Sequence, residues 1–423
     1  MKQPTPTDYI DYQKYVDNLY STELDQGAKF LMNTSLAPAI LSSNEVQGFI
    51  DRYNTIKSFW SISQDLFKNA LFDPSLMEIR NLILNEVNSE FGLQYHQNLY
   101  KQKVDLPYFF RTDESIPGKI TEIQSPGSGW GTLQALQTSI QYLEKFMSFD
   151  IRSFNKVHIA ENVSEIIKEL THNNPFVFHQ VDESSIMLDT NYFISTTRKH
   201  GLKYLGHDFE VTLKNANFIR THSFLEQATG STFLEFLNRF HNEELIFDIF
   251  PSILFFQKIS LIFPFWEKTK HLYSDSIRNI FPFTSLVADN LQLEDGTLIT
   301  PEDFCDRKPH ERDYYLKYAG TDGTINWGSK AVYHLGKTDW KKCKIFLQAA
   351  LEGYHNKHYW ILQKTHHKKE LVASVKDGVL NSQESYAKWS GFYGPKGFMG
   401  GYVMTREFYK VHGQNDTVCR LLL

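Results

Sequence analysis

The hydrophobic pattern changes its period several times along the chain, and no segment repeats at a fixed interval. Apolar residues follow a helical spacing over 44–70 and 76–88, so the first hundred residues are predicted to be mainly helical. Residues 157–205 alternate short apolar runs with helical segments, which is the rhythm of a βαβ domain. A helical pattern predominates over 222–275, and strand-like runs return from Tyr314 onward. The mixture excludes solenoids and propellers and predicts an α+β protein.

Length and composition limit the classes of function. A chain of 423 residues is long enough for two or three domains. Its 44 Lys and Arg against 49 Asp and Glu leave a net charge of -5, which argues against binding to nucleic acid or to an anionic membrane. The three cysteines, Cys305, Cys343 and Cys419, form no zinc-binding pair and favour a reducing compartment. The first residues carry no apolar signal region, and Leu245–Trp266 is interrupted by charges and prolines, so we expect a cytoplasmic protein without a membrane span.

Two short strand-like runs flank a Pro-Gly turn at 117–118 and predict a β-hairpin. The runs are Tyr108–Arg111 and Lys119–Gln124. Because successive strand residues point to opposite faces, Arg111 and Asp113 share one side of the first strand, and Glu122 and Gln124 share one side of the second. Two carboxylates and an amide oxygen suit Mg²⁺, and the arginine would neutralise a transferring phosphoryl group. An exposed polar strand face is the alternative interpretation of the same residues.

A second group of residues points to phosphate binding. Lys317 lies at the end of a strand-like run and precedes Gly320 and Gly323, so a cation and several backbone N–H groups would face a phosphate. A solvated turn is the alternative interpretation of a lysine and glycines in a loop. Residues 323–330 nearly spell a Walker A sequence, but the serine and lysine are transposed and a strand-like run follows, which excludes a P-loop.

Three further features are ambiguous on their own. Lys258 lies in a helical pattern among apolar residues, where its ammonium must either extend to solvent or meet an anion. The strand-like run Tyr359–Lys364 ends in Gln363 and Lys364, and backbone groups at such an end could read the rim of an adenine. The glycine-rich stretch Gly391–Gly401 fits a mobile lid or a plain connection.

The order of these residues resembles that of the circularly permuted ATP-grasp ligases of the glutathionylspermidine synthetase type. In that family an R-x-D strand and an E-x-N strand precede the nucleotide-binding lysines. Arg111, Asp113 and Glu122 occupy the matching places here, and Gln124 stands where the pattern has asparagine. The resemblance continues through Lys258, Pro282, Lys317, Gly320, Gly323, Gln363 and Gly400–Arg406.

The resemblance implies an α+β, circularly permuted ATP-grasp fold and a set of residue roles. Those roles are ATP binding by Lys258, Lys317, Gly320, Gly323, Gln363 and Lys364, catalysis by Arg111, and Mg²⁺ binding by Asp113, Glu122 and Gln124. The implied domains are a mainly helical region at 1–100, the metal-binding part of the ATP-grasp lobe at 101–150, an α/β domain at 151–255 and nucleotide-binding lobes at 256–423. The implied reaction joins a small-molecule or peptide carboxylate to an amine, with ADP as product and an acyl phosphate as intermediate. The acid, the amine and the oligomeric state stay open.

Two other classes of function stay open as well. A degenerate ATP-grasp fold would bind nucleotide or a partner without catalysis, an interpretation that Gln124 favours. A phosphotransferase acting on a hydroxyl would use the same nucleotide site, because that site does not identify the acceptor.

The resemblance also implies an arginine on a strand late in the chain, after a glycine. Either Arg406 or Arg420 would be this arginine.

Overall fold

The structure is a computed structural model of the chain. It describes residues 4–24, 28–30, 32–87, 89–101, 105–125, 127–146, 158–180, 184–205, 214–221, 231–322, 325, 330–376, 379–413 and 416–423. No helix among these residues combines the length and the apolar character that crossing a bilayer requires.

Four of the α-helices in the described residues lie in the first hundred positions, as the apolar spacing predicts. The helices are α1 (Pro6–Glu23), α2 (Ser43–Phe72), α3 (Met77–Leu84), α4 (Glu90–Leu99), α5 (Trp130–Thr138), α6 (Ile140–Leu143), α7 (Ile159–Leu170), α8 (Ser184–Lys199), α9 (Ser231–His241), α10 (Asp275–Ile280), α11 (Pro301–Asp306) and α12 (Trp340–His355). The longest, α2, begins at a capping box in which the Ser42 hydroxyl accepts from the Glu45 amide and the Glu45 carboxylate accepts from the Ser42 amide. The cap satisfies amides that would otherwise lack a partner at the start of the helix.

The strands of the described residues form several separate sheets. They are β1 (Asn33–Thr34), β2 (Phe110–Ile116), β3 (Lys119–Gln124), β4 (Phe176–Gln180), β5 (Lys203–Tyr204), β6 (Phe218–Thr221), β7 (Ile246–Phe247), β8 (Thr284–Leu286), β9 (Leu291–Gln292), β10 (Leu298–Ile299), β11 (Tyr314–Tyr318), β12 (Val332–His334), β13 (Trp360–Lys364), β14 (Lys369–Lys376), β15 (Val379–Gly394), β16 (Gly397–Arg406) and β17 (Val418–Leu421). Helices and sheets of both parallel and antiparallel kinds make this an α+β architecture.

Three of the sheets position the residues of interest. The large sheet has the order β1-β17-β16-β15-β2-β3, with β14 paired to β15. A smaller antiparallel sheet has the order β12-β11-β13-β8, and a parallel sheet has the order β5-β4-β6-β7. Because β1 pairs with β17, the segment that follows α1 joins the large sheet beside the last described strand.

Several expectations need correction. The hairpin is confirmed, although β2 begins at Phe110 and extends further than predicted. The apolar run at 157–160 was expected to form a strand, but its described residues do not, because helix α7 begins at Ile159. The apolar run around Lys258 forms short 3₁₀ turns instead of an α-helix. The glycines of 391–401 belong to the β15–β16 hairpin, where a Cβ at Gly401 would lie 2.5 Å from a backbone oxygen of the facing strand, so close strand packing explains them better than a mobile lid.

A buried ion pair holds α2 against the large sheet. Arg52 Nη1 lies 2.8 Å from Glu114 Oε1, and both side chains are almost fully buried. The second carboxylate oxygen of Glu114 accepts from the Gly118 amide of the hairpin turn at 2.8 Å. Burial raises the pKa of Glu114 to about 7 against the opposing effect of Arg52. The pair therefore joins the N-terminal helices to the strand that carries Arg111 and Asp113.

Replacing Arg52 by Met should destabilise the protein by roughly 3–5 kcal/mol at about pH 8, because an unpaired carboxylate then stays buried. At about pH 5 the loss should be smaller, since Glu114 takes up a proton in the folded state and its charge disappears. The measurement is the free energy of unfolding in urea at both pH values.

Lys268→Met is the matched control, because Lys268 pairs with Glu78 at an exposed position. Its expected cost is below about 1 kcal/mol at either pH. Equal stability of Arg52→Met and wild type at the higher pH would contradict the anchoring role.

Candidate functional site

The hairpin presents four polar side chains on one face. Arg111 pairs with Gln124 across the two strands, and Asp113 pairs with Glu122. Residues directly opposite in an antiparallel pair share a face, so the alternation predicted from the sequence brings these four side chains together.

Arg111 and Asp113 form the buried centre of this face. Arg111 Nε and Nη2 lie 2.9 and 3.0 Å from the two oxygens of Asp113, and the side chains are 6% and 2% exposed. Asp113 also accepts from Lys388 Nζ and Ser390 Oγ, each at 2.9 Å. Burial favours the neutral acid, but the charges of Arg111 and Lys388 outweigh it and hold the pKa of Asp113 well below its usual range. Asp113 is therefore a fixed negative charge surrounded by donors.

The segment after β3 is held close to Arg111. Arg111 Nη1 donates to the Ser128 carbonyl oxygen, and Asp189 accepts from the amides of Gly129 and Thr132 at 2.8 and 2.6 Å. Gly129 has φ +93°, and a Cβ there would lie 2.2 Å from the hydroxyl of Tyr402. Only glycine fits this position without displacing its neighbours. The start of α5 is consequently fixed beside the guanidinium.

The smaller sheet contributes Lys317 to the same site. Lys317 Nζ donates to Gln363 Oε1 at 2.6 Å and to the Thr121 carbonyl oxygen of β3 at 3.3 Å. Burial lowers the pKa of Lys317 to about 8, with Glu122 acting in the opposite direction, so the ammonium is still mostly charged at neutral pH. Lys258 Nζ lies 3.2 Å from Glu122 Oε1. The two lysines connect the smaller sheet and the 3₁₀ segment to the hairpin.

The resulting group of charges, which we call the cationic cluster, has more positive than negative members. It consists of Arg111, Lys258, Lys317 and Lys388 with the carboxylates of Asp113 and Glu122. Burial favours the neutral form of Glu122, but the nearby lysine charges outweigh burial and lower its pKa. Four cations around two carboxylates leave an excess of positive charge in partly buried surroundings. Such a site is suited to a ligand with several negative charges.

The oxygens of the cluster meet part of what a magnesium ion requires. Gln124 Oε1 is buried and has no hydrogen-bond partner among the described residues, and Glu122 lies beside it on the same strand face. A carboxylate and an amide oxygen are suitable Mg²⁺ ligands, with water and phosphate completing the shell. Asp113 fits less well, because both its oxygens already accept from cations or Ser390. Within the described part of the chain, no three His, Cys, Asp or Glu side chains converge as a metal site.

Some residues predicted from the sequence lie elsewhere. Lys364 Nζ lies 4.7 Å from the centre of the Tyr314 ring, on the face of the smaller sheet that Lys317 does not share, and its backbone amide donates to Phe283. Gly320 is buried, and a Cβ there would lie 2.3 Å from the Tyr318 hydroxyl. Gly323 lies outside the described residues.

The two late arginines are each in an ion pair. Arg406 Nε donates to Asp416 at 2.8 Å, and Arg420 pairs with Glu370. Both arginines therefore have their charge neutralised by a neighbouring carboxylate.

Two functional candidates were not predicted from the sequence. Lys388 and Ser390 alternate on β15, and the pairing of Ser390 with Asp113 places both on the site face. Their Lys-x-Ser spacing is the only local signal, and it becomes informative once the partner strand is known.

A buried arginine, Arg220, packs against the start of α5. The Arg220 guanidinium lies 4.5 Å from the Trp130 ring, and its Nη1 is 3.2 Å from Asp248 Oδ2. That contact is an ion pair without hydrogen-bond alignment, and the three guanidinium nitrogens have no hydrogen-bond partner among the described residues. Burial lowers the pKa of Arg220 and raises that of Asp248 to about 6. A guanidinium with unused donors is suited to a carboxylate.

Comparison with known proteins defines the fold. No protein-family model matches the sequence, and no curated protein matches it. The structure of a glutathione synthetase-like effector from Globodera pallida, in its apo form, matches 99% of this chain and 98% of its own, with 11% identity and a TM-score of 0.59. A candidate gamma-glutamylcysteine synthetase from Methylobacillus flagellatus KT matches 81% of this chain and 85% of its own, with 10% identity and a TM-score of 0.40.

The first of these matches establishes a shared fold over nearly the whole chain, and at 11% identity it establishes the fold alone. The glutathionylspermidine synthetase type and the circular permutation stay predictions.

The cationic cluster should bind inorganic tripolyphosphate. Lys317→Met and Lys258→Met should each weaken this binding roughly tenfold to a hundredfold, because each removes a charge-assisted contact worth about 1.5–3 kcal/mol. Isothermal titration calorimetry measures the affinities.

Lys364→Met is the control, since Lys364 faces away from Lys317 and should bind tripolyphosphate like wild type. A loss of affinity in Lys364→Met equal to that in Lys317→Met would show that the anion binds elsewhere.

Proposed function

We propose that the protein is an ATP-dependent, ADP-forming ligase that joins a carboxylate to an amine through an acyl phosphate. The observation that carries the proposal is the cationic cluster, in which Lys258 and Lys317 approach Glu122 and β3 from outside the hairpin. Support comes from the fold, which is shared over nearly the whole chain with a protein named as glutathione synthetase-like.

Lys258 and Lys317 would hold the phosphates of ATP. Lys258 contacts the Glu122 carboxylate, whose charge is shared with other lysines, and Lys317 contacts the neutral amide of Gln363. Phosphate oxygens would be stronger partners for both ammonium groups. Arg111 is oriented by Asp113 and would stabilise the charge on the transferring phosphoryl group, with Lys388 as a second cation beside it. Phosphoryl transfer depends mainly on positioning and charge, which these side chains supply.

Glu122 and Gln124 would hold a magnesium ion together with the phosphates. When bound, Mg²⁺ would withdraw charge from the transferring group. Asp113 would then act as the anchor of Arg111 and Lys388, a change from the ligand role that the family resemblance implies.

The acid substrate would be recognised by Arg220. The Arg220 guanidinium packs on Trp130, and Arg111 donates to the carbonyl of Ser128, two residues earlier. The two arginines therefore contact the two ends of the short segment 128–130. A carboxylate oxygen of the substrate would attack the γ-phosphorus and release ADP. The amine would then attack the acyl carbon and release phosphate, and neither step needs a protein nucleophile.

Incubation with ATP, Mg²⁺, hydroxylamine and pools of amino acids and peptides should yield ADP and a hydroxamate, because an acyl phosphate is electrophilic at carbon. Mass spectrometry would identify the product. Glu122→Ala should form neither, while its fold stays intact by circular dichroism.

Formation of ADP together with a stable phosphorylated alcohol, and without a hydroxamate, would contradict the ligase proposal and indicate a phosphotransferase. A second candidate is nucleotide binding without catalysis, which the saturated Asp113 and the Lys317–Gln363 contact favour. ATP binding without ADP formation in any pool would establish that alternative.

Arg220→Met should raise the carboxylate concentration for half-maximal ADP formation at least tenfold, because a charge-assisted pair is lost. The half-maximal ATP concentration should stay unchanged, which distinguishes lost recognition from general misfolding. Equal increases for both substrates would contradict the assignment.

A further inference from the structure

A pair of thiols lies apart from the cationic cluster. Cys305 on α11 and Cys343 on α12 are buried, and their sulfur atoms are 3.5 Å apart. They share a hydrophobic core with Leu316 of β11, whereas Lys317, the next residue, points to the opposite face of the same sheet. Strand β11 lies between the two cysteines in the sequence, so the folding of the chain brings their sulfur atoms together.

The surroundings distinguish the two sulfur atoms. The Cys305 thiol donates a hydrogen bond to Cys343, and this bond, aided by the Arg312 guanidinium, lowers the pKa of Cys343 against the effect of burial. Arg312 is itself buried, and its Nε and Nη1 atoms have no hydrogen-bond partner among the described residues. A thiolate at Cys343 would neutralise this charge. With this cation nearby, Cys343 would act as the nucleophile of the pair and Cys305 as the second thiol.

We propose that Cys305 and Cys343 form a modification site at which a peroxide produces a reversible intramolecular disulfide. The Cys343 thiolate would attack one peroxide oxygen, break the O–O bond and become a sulfenic acid, and the leaving hydroxide would take up the proton that the Cys343 thiol had lost, which gives the first water. The Cys305 sulfur would then attack the sulfur of the sulfenic acid and displace its hydroxyl group, which takes the Cys305 proton and leaves as the second water. Two thiols are oxidised and one peroxide is reduced to two waters.

The geometry allows this product with a small movement. A disulfide has an S–S distance of about 2.05 Å, so the sulfur atoms must approach by about 1.5 Å. Helix α11 has only six residues and exposes Glu302, Asp303 and Asp306, so local opening of this helix would admit a small oxidant. The cross-link would join α11 to α12 behind β11 without touching Lys317.

The test treats the full chain with hydrogen peroxide, alkylates the remaining thiols under denaturing conditions and maps the peptides by mass spectrometry. The expected product has lost two hydrogens, contains a Cys305–Cys343 peptide cross-link and returns to three free thiols with dithiothreitol. Cys419 is an internal control, because it is buried and lies away from this pair on β17, so it should remain alkylatable. The oxidised protein should also unfold at a higher temperature, since the cross-link restricts the unfolded chain.

Two variants test the order of attack. Cys305→Ser should accumulate a sulfenic acid at Cys343 that dimedone traps, while Cys343→Ser should give much less adduct at Cys305. Three free thiols in the wild-type chain after prolonged oxidation would overturn the proposal, as would oxidation of Cys419 as fast as the pair or a disulfide only between molecules.

Discussion

The buried pair of Arg111 and Asp113 is the interaction on which the candidate site depends. Two residues apart on β2, they neutralise each other where an isolated charge would be costly. Asp113 also draws in Lys388 and Ser390 from the neighbouring strand, and Arg111 holds the Ser128 carbonyl at the start of the next helix. One ion pair therefore fixes the hairpin, β15 and the start of α5 relative to each other.

The opposite face of β2 contacts helix α2. Glu114 follows Asp113 and points away from it, toward Arg52 of α2. β1 adds a second connection between the N-terminal region and the large sheet by pairing with β17. The helices of the first hundred residues thus support the site from behind, and the residues of the cationic cluster all come from later segments.

Local patterns predicted part of this arrangement well. The hairpin and the shared face of its four polar residues follow from strand alternation and a Pro-Gly turn, both of which act over a few residues. Lys388 could not be predicted, since its role depends on pairing between strands more than 250 positions apart, as Ser390 with Asp113 shows. The sequence around Lys258 does not distinguish 3₁₀ turns from an α-helix, because a dense apolar run has no clear period.

Gln363 is a second residue whose role in the site depends on strand pairing. Its position at the end of a strand was predicted, but its contact with Lys317 depends on the pairing of β13 with β11. A phosphate bound by Lys317 would have to replace this contact with Gln363.

The most direct test of phosphate binding by Lys317 and Lys258 is a crystal structure with Mg²⁺ and a non-hydrolysable ATP analogue. Phosphate oxygens of the analogue should lie within hydrogen-bond distance of Lys317 and Lys258, in place of Gln363 and Glu122. A bound analogue that leaves both the Lys317–Gln363 and the Lys258–Glu122 contacts intact would contradict the proposed phosphate site.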